Sequence, residues 1–169
     1  MKRCTVLFGS ALTVSSLWAG GFGLGIQTAF DLGQGCAIAP RLEYLRSTDS
    51  STVGPVSLSA TDNIFSLGAD FNYFFSGRTG KGFYVLGGLG LANGSLSVSG
   101  TDGTSSNQVT QNQTVLYPEG GAGYEFTRHV GLEVLYKALN FKDVDLAVGG
   151  VPVSYSYRNL VQIALTLRF

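Results

Sequence analysis

Charge is what this chain has least of. Asp, Glu, Lys and Arg make up 13% of its 169 residues, about half the share in an ordinary globular domain. Eleven basic residues balance eleven acidic ones, so neither nucleic acid nor an anionic surface is an expected partner. Histidine occurs once, as His129 beside Arg128. One imidazole holds no zinc, and no Ser and carboxylate set gathers around it, so neither a metal nor a catalytic triad is expected. Cysteine occurs twice, as Cys4 and Cys36. If Cys4 belongs to a leader, Cys36 is alone and makes no intrachain disulfide. Neither cysteine follows the apolar stretch as a lipoprotein cysteine would. Apolar runs of the roughly 18 residues that a spanning helix needs are missing too, which excludes a helix bundle. Glycines cluster (Gly21-Gly23-Gly25, Gly87-Gly88-Gly90, Gly120-Gly121-Gly123), but no helix follows them to bind a phosphate. No nucleotide or other cofactor is expected.

The first residues read as an address. Lys2 and Arg3 precede the apolar stretch from Cys4 to Val14, and small residues surround Ala19, which is the order of a secretory leader. The expected division is a leader over residues 1–19 and a single domain over residues 20–169. Removing the leader leaves nine basic and eleven acidic residues. Leu17 is large for its place before the cleavage site, so a first strand over residues 4–15 is the alternative. Val6, Leu7 and Phe8 are consecutive there, which spoils the alternation, and the leader is favoured.

What the chain does have is glycine (24), tyrosine (8) and phenylalanine (11), in segments that alternate at period 2. Phe22, Leu24, Ile26 and Phe30 oppose Gly23, Gly25, Gln27 and Asp31. Ile38, Pro40, Leu42 and Tyr44 oppose Ala39, Arg41 and Glu43. Phe65, Leu67, Phe71 and Tyr73 oppose Ser66, Gly68, Asp70 and Asn72. In "FYVLGGLGLA", Phe83, Val85, Leu89 and Leu91 oppose Leu86, Gly88 and Gly90, with the two faces poorly resolved. Leu116, Tyr124 and Phe126 oppose Glu119 and Glu125; Val130, Leu132, Val134 and Tyr136 oppose Gly131, Glu133 and Lys137. Last, Val161, Ile163, Leu165, Leu167 and Phe169 oppose Gln162, Ala164, Thr166 and Arg168.

Short connections alternate with long polar ones over residues 47–62, 93–114 and 140–155. Hairpin turns at one rim and long loops at the other predict an all-β, antiparallel, up-and-down transmembrane barrel of about eight strands, of which seven are counted. Strands of about ten residues would cross the bilayer core. Tyr44, Tyr73, Tyr136, Tyr155 and Tyr157 fall near strand ends, as an interfacial girdle requires. The apolar faces then meet outer-membrane lipid, with Phe169 at the periplasmic edge. The charges Arg41, Glu43, Asp70, Glu119, Glu125, Glu133, Lys137, Arg158 and Arg168 point into a lumen just wide enough for side chains, where they must pair.

The strand that ends in Arg168-Phe169, with "IAPRLEY", "FYVLGGLG" and "GGAGYEF", resembles small bacterial outer-membrane barrels of the OmpA/OmpX and opacity-protein type, over roughly residues 20–169. The resemblance implies that Ile163, Leu165, Leu167 and Phe169 form a terminal signal read by the barrel assembly machinery. It implies a bacterial outer-membrane location, and it is weak on activity, because the fold hosts adhesins, anchors and a few enzymes. The expected role is envelope structure or surface interaction through the polar loops, whose ligand is open, around a lumen plugged by side chains. Two rivals stand beside it: an outer-membrane enzyme acting on lipid A or peptides, and a soluble lipocalin-like barrel with its apolar faces inward.

Overall fold

The computed structural model describes residues 9–17, 21–53, 56–101, 106–127, 129–148, 151–155 and 159–168. The described residues form ten strands: β1 (Gly9–Leu17), β2 (Gly21–Gly33), β3 (Cys36–Val53), β4 (Val56–Phe74), β5 (Gly82–Thr101), β6 (Ser106–Thr127), β7 (Val130–Lys137), β8 (Val144–Val148), β9 (Val151–Tyr155) and β10 (Leu160–Arg168). Eight of them close a barrel in the order β1-β10-β7-β6-β5-β4-β3-β2, and β8 and β9 form a separate hairpin. Every barrel pair is antiparallel. Closure leaves the barrel no unpaired edge, which is what lets strands cross a bilayer.

Alternation decides which side each residue takes. On β2, Phe22, Leu24 and Ile26 are exposed while Gly23, Gly25 and Gln27 are buried. On β4, Leu67 is 56% exposed and Asp70 1%. The apolar faces therefore point out and the charges in, which overturns the lipocalin-like reading. In water this arrangement would expose the whole apolar surface; in lipid it is the stable one. The poorly resolved faces of β5 divide as expected: Tyr84, Leu86 and Ala92 are buried, and Phe83, Val85, Leu89 and Leu91 are exposed.

Aromatic residues mark both rims of the apolar belt. Toward the turns, Tyr73 packs on Phe75 at 5.3 Å, Phe75 stacks on Phe83 at 5.5 Å, and Tyr124 meets Phe126 at 5.1 Å. Toward the hairpins, the Tyr44 hydroxyl donates to Asn63 Oδ1 at 2.8 Å and the Tyr136 hydroxyl to Asn159 Oδ1 at 2.9 Å. Each ring thus has an apolar body in the belt and a wet tip. The side chains of Tyr155 and Tyr157 lie outside the described residues.

Strand length and the extent of the long loops depart from expectation. The number of strands does not: the one beyond the seven counted is Gly9–Leu17, which pairs with both β2 and β10. The register of that segment, favoured above as part of a leader, sets Leu12 opposite Leu167 and Val14 opposite Leu165, an alternation that begins only after the run at Val6 to Phe8. The strands β3 to β6 have 18, 19, 20 and 22 residues rather than about ten. The polar stretches 47–62 and 93–114 continue those strands, and pairing runs out to Val53 opposite Val56 and Thr101 opposite Ser106. Ser, Thr and Val fit an extended backbone as well as they fit a loop. The stretch 140–155 likewise contains the β8–β9 hairpin, with Val144 opposite Tyr155.

At the opposite rim the connections are tight. Gly33, Gln34 and Gly35 all have positive φ, between 56° and 85°, which favours Gly and Asn-like residues. At Gly35 a Cβ would also lie 2.5 Å from the carbonyl oxygen of Phe74. The Asp31 carboxylate accepts from Gly33 N at 2.8 Å and from Thr79 Oγ1 at 2.9 Å, tying two turns together. In the β6–β7 turn, Thr127 Oγ1 accepts from His129 N and Val130 N at 3.1 Å each.

Glycine inside the barrel makes room for rings. A Cβ at Gly90 would lie 2.5 Å from the Tyr117 ring, whereas at the outward Gly87 its nearest neighbour is 3.9 Å away. Gly90→Ala should therefore lower the unfolding free energy by about 1–3 kcal/mol through overpacking. Gly87→Ala should be close to neutral. Urea unfolding in detergent, followed by heat-modifiable gel migration, compares the two; equal midpoints would count against the ring-on-glycine packing.

Candidate functional site: a charged layer inside the barrel

The inward charges gather at one depth because the register puts them there. Ala39 faces Asp70, Asp70 faces Gly88, Gly88 faces Glu119, and Glu119 faces Lys137. Arg41 sits two residues along β3, opposite Gly68. The small neighbours leave space for the long side chains to cross the lumen. Arg41 is 2% exposed and Glu133 0%.

Arg41 is the hub. Its Nη2 lies 2.9 Å from Asp70 Oδ2 on β4 and 2.9 Å from Glu133 Oε2 on β7. Its Nε donates to Asp70 Oδ2 at 3.0 Å, and its Nη1 reaches Glu43 Oε1 at 3.4 Å. The planar guanidinium suits this work, since its donors diverge at fixed angles toward several carboxylates. Lys137 is the second cation. It pairs with Glu43 across the lumen, lies 3.4 Å from Glu119 Oε2, and stands 5.5 Å from the Tyr117 ring centroid. Two cations thus serve four carboxylates, and neutral donors take up further oxygens. The Tyr84 hydroxyl donates to Glu133 Oε1 at 2.5 Å and Gln162 Nε2 to Glu43 Oε1 at 3.0 Å. Hydrogen bonds to ionised oxygens are the strong kind.

Apolar layers lie on both sides of the charges. Toward the turns, Phe74, Tyr84, Leu86 and Leu135 form one cluster, with Phe74 and Tyr84 at 4.6 Å between ring centres. Toward the hairpins, Leu45, Ile64, Ala92, Tyr117, Leu139, Phe141 and Leu160 form another. Leu139 and Phe141 come from the connection after β7, which folds back into the mouth. Gln113 holds it there, accepting from Lys142 N at 2.7 Å and donating to Lys142 O at 2.9 Å.

Of the expected charges, Arg41, Glu43, Asp70, Glu119, Glu133 and Lys137 meet in this layer. Glu125 is buried nearer the turn rim, opposite Gly131, where a Cβ would lie 2.7 Å from its Oε2. Arg158, Phe169 and the Arg168 side chain lie outside the described residues. Ile163 and Leu165 are exposed on the outer face, in line with Leu167. Sequence reasoning missed Tyr84, Tyr117 and Gln162. Gln162 already fell on the inward face and carries four hydrogen-bonding sites, so its polarity was the available signal. Tyr84 was hidden by a strand with apolar residues on both faces.

A closed eight-stranded barrel with an apolar outer belt, aromatic rims and charges inside is a transmembrane β-barrel. The chain belongs to the family described as the outer membrane protein beta-barrel domain, which matches residues 8–169. Its fold is similar to that of a major outer membrane protein from Thermus thermophilus (TM-score 0.63, 16% identity, 96% of this chain and 100% of that one). It is also similar to the N-terminal β-barrel domain of Pseudomonas aeruginosa OprF (0.59, 17%, 96% and 96%) and to Ail of Yersinia pestis (0.55, 11%, 96% and 95%). No curated protein matches the chain. The protein is accordingly an integral component of the bacterial outer membrane, in contact with its lipid.

Removing the hub strands its partners. Arg41→Leu leaves the carboxylates of Asp70, Glu133 and Glu43 short of a counter-charge, and breaking a buried pair costs about 3–5 kcal/mol. Leu42→Met, on the lipid face, conserves volume and should change stability little. Denaturant unfolding of both variants in detergent checks this, and a wild-type midpoint for Arg41→Leu would refute the pairing.

Proposed function

We propose that the barrel is closed to solutes and serves the envelope through its outer and surface-exposed faces, as a structural or surface-interaction protein. The observation that carries this reading is the paired charged layer that lies inside the barrel between two apolar clusters. An open path would need a continuous polar lining, and here a permeating ion would have to cross both apolar clusters and displace the paired charges. The short turns then face the periplasm and the long hairpins the outside, as in other barrels of this kind.

The reading is of a protein that is not an enzyme. An outer-membrane hydrolase would need a histidine beside a Ser or a carboxylate at one rim. The one histidine, His129, is exposed in the β6–β7 turn. The role assigned to Ile163, Leu165, Leu167 and Phe169 in recognition by the assembly machinery is part of the same proposal. So is the retention of β1, supported by its pairing on both sides.

Planar-bilayer recording tests the plugged lumen. Purified protein should give little or no conductance, and steady steps of porin size would overturn the reading. Intact mass tests the first strand. The mature chain should contain Gly9–Leu17, and a mass beginning near Gly20 or Gly21 would take β1 out of the barrel.

A further inference from the structure

Above the belt, β3, β4, β5 and β6 project together as a four-stranded sheet, and its outward face is a regular array. The last apolar row is four leucines in register, Leu42, Leu67, Leu91 and Leu116, all exposed. Farther out, Thr48, Thr61, Ser97 and Thr110 form one row and Ser50, Ser59, Ser99 and Gln108 the next. From Tyr44 outward, Arg46 is the only charged residue on this face of the four strands. The rows are spaced about 6.6 Å along the strands and about 4.8 Å across them. Neighbouring side chains orient one another: Asn93 Nδ2 donates to Thr114 Oγ1 at 2.9 Å, and the Ser97 and Thr110 hydroxyls meet at 3.0 Å. The opposite face of the same sheet carries a buried apolar cluster of Ala60, Leu96 and Val98, with Ser47 and Asp62 also buried.

We infer that this outward array is a contact surface for the saccharide of the membrane's own outer-leaflet glycolipid. The proposal rests on the outward orientation of the hairpins. Three features select that occupant. The array continues the lipid-facing belt without a break, so whatever adjoins the acyl chains there adjoins the array too. Its surface is dense in donors and acceptors and carries a single charge, which suits a polyhydroxylated partner rather than a polyanion. Its single cation, Arg46, lies about 13 Å along the strand from Leu42, near the belt, where the phosphates of such a glycolipid lie between acyl chains and sugar.

The test uses the full chain folded into vesicles of phospholipid alone, of phospholipid with saccharide-free lipid A, and of phospholipid with the same glycolipid carrying its complete core saccharide. The thermal midpoint is read by heat-modifiable migration. The complete saccharide should raise the midpoint by about 4 °C over lipid A. Ser59→Ala/Ser97→Ala/Ser99→Ala should lose at least half of that increment, and the matching triple Asp variant all of it. Equal midpoints with lipid A and with the complete glycolipid overturn the proposal, as does an Ala variant that keeps the full increment. Protease added to intact cells separates this from the parent reading. Cleavage of the hairpin tips upholds the orientation, whereas protected tips overturn the orientation and the saccharide contact together.

Discussion

The pairing of Arg41 with carboxylates from two other strands is the contact on which the barrel's interior depends. Asp70 is on β4 and Glu133 on β7, so one guanidinium ties together strands on opposite sides of the lumen. Lys137 extends the tie through Glu43 and Glu119, and Tyr84 and Gln162 bring in β5 and β10. An eight-stranded barrel has too little room for bulk water to solvate these groups. Each charge is therefore stable only while its partners hold position, and each partner is held by its strand's register. Backbone closure and side-chain pairing require each other.

That requirement explains the composition of the inner wall. Side chains long enough to meet across the lumen need neighbours with none. Gly25 lies where a Cβ would fall 2.8 Å from Glu43 Cγ, and Gly68 lies beneath Glu119 and Tyr117. Glycine in a strand ordinarily weakens it. Here its cost is offset by the large side chain laid over the vacant Cβ position, as aromatic side chains laid over sheet glycines do elsewhere. The many glycines and the low charge content noted first in the sequence thus serve one interior, with few charges because only a few can be paired and many glycines because those few are large.

Much of this was legible before any coordinates, and what was not has a physical reason. Period 2 placed Arg41, Glu43, Asp70, Glu133 and Lys137 inside because the opposite faces of their strands are uniformly apolar. It was least distinct on β5, where the inward Tyr84 and Leu86 are as apolar as the outward Val85 and Leu89, although the division it gave is the one observed. It could not decide β1, because a leader's apolar stretch and a first strand draw on the same residues. It failed on the length of the hairpins, since Ser and Thr do not distinguish a loop from a solvated strand. Which charge meets which was partly readable: Arg41 and Glu43 face inward from one strand and Asp70 from the next. The bond from Lys137 to Glu43 was not, because it spans the lumen between β7 and β3, strands that never pair, and depends on how the sheet closes.

The same closure divides labour along the barrel axis. Within the belt the outer surface has no choice but to be apolar, and the interior is consumed by packing. Only where β3 to β6 outrun the bilayer does the outer face become free to carry polar chemistry, and there it turns polar within one or two rows, from Leu42, Leu67, Leu91 and Leu116 to Ser, Thr, Asn and Gln. A short strand such as β7, with 8 residues, offers no such extension. The connection that follows it instead sends Leu139 and Phe141 back into the mouth, where they join the apolar cluster of Leu45, Ile64 and Leu160. One half of the rim therefore projects a polar surface, and the other half turns its apolar side chains inward.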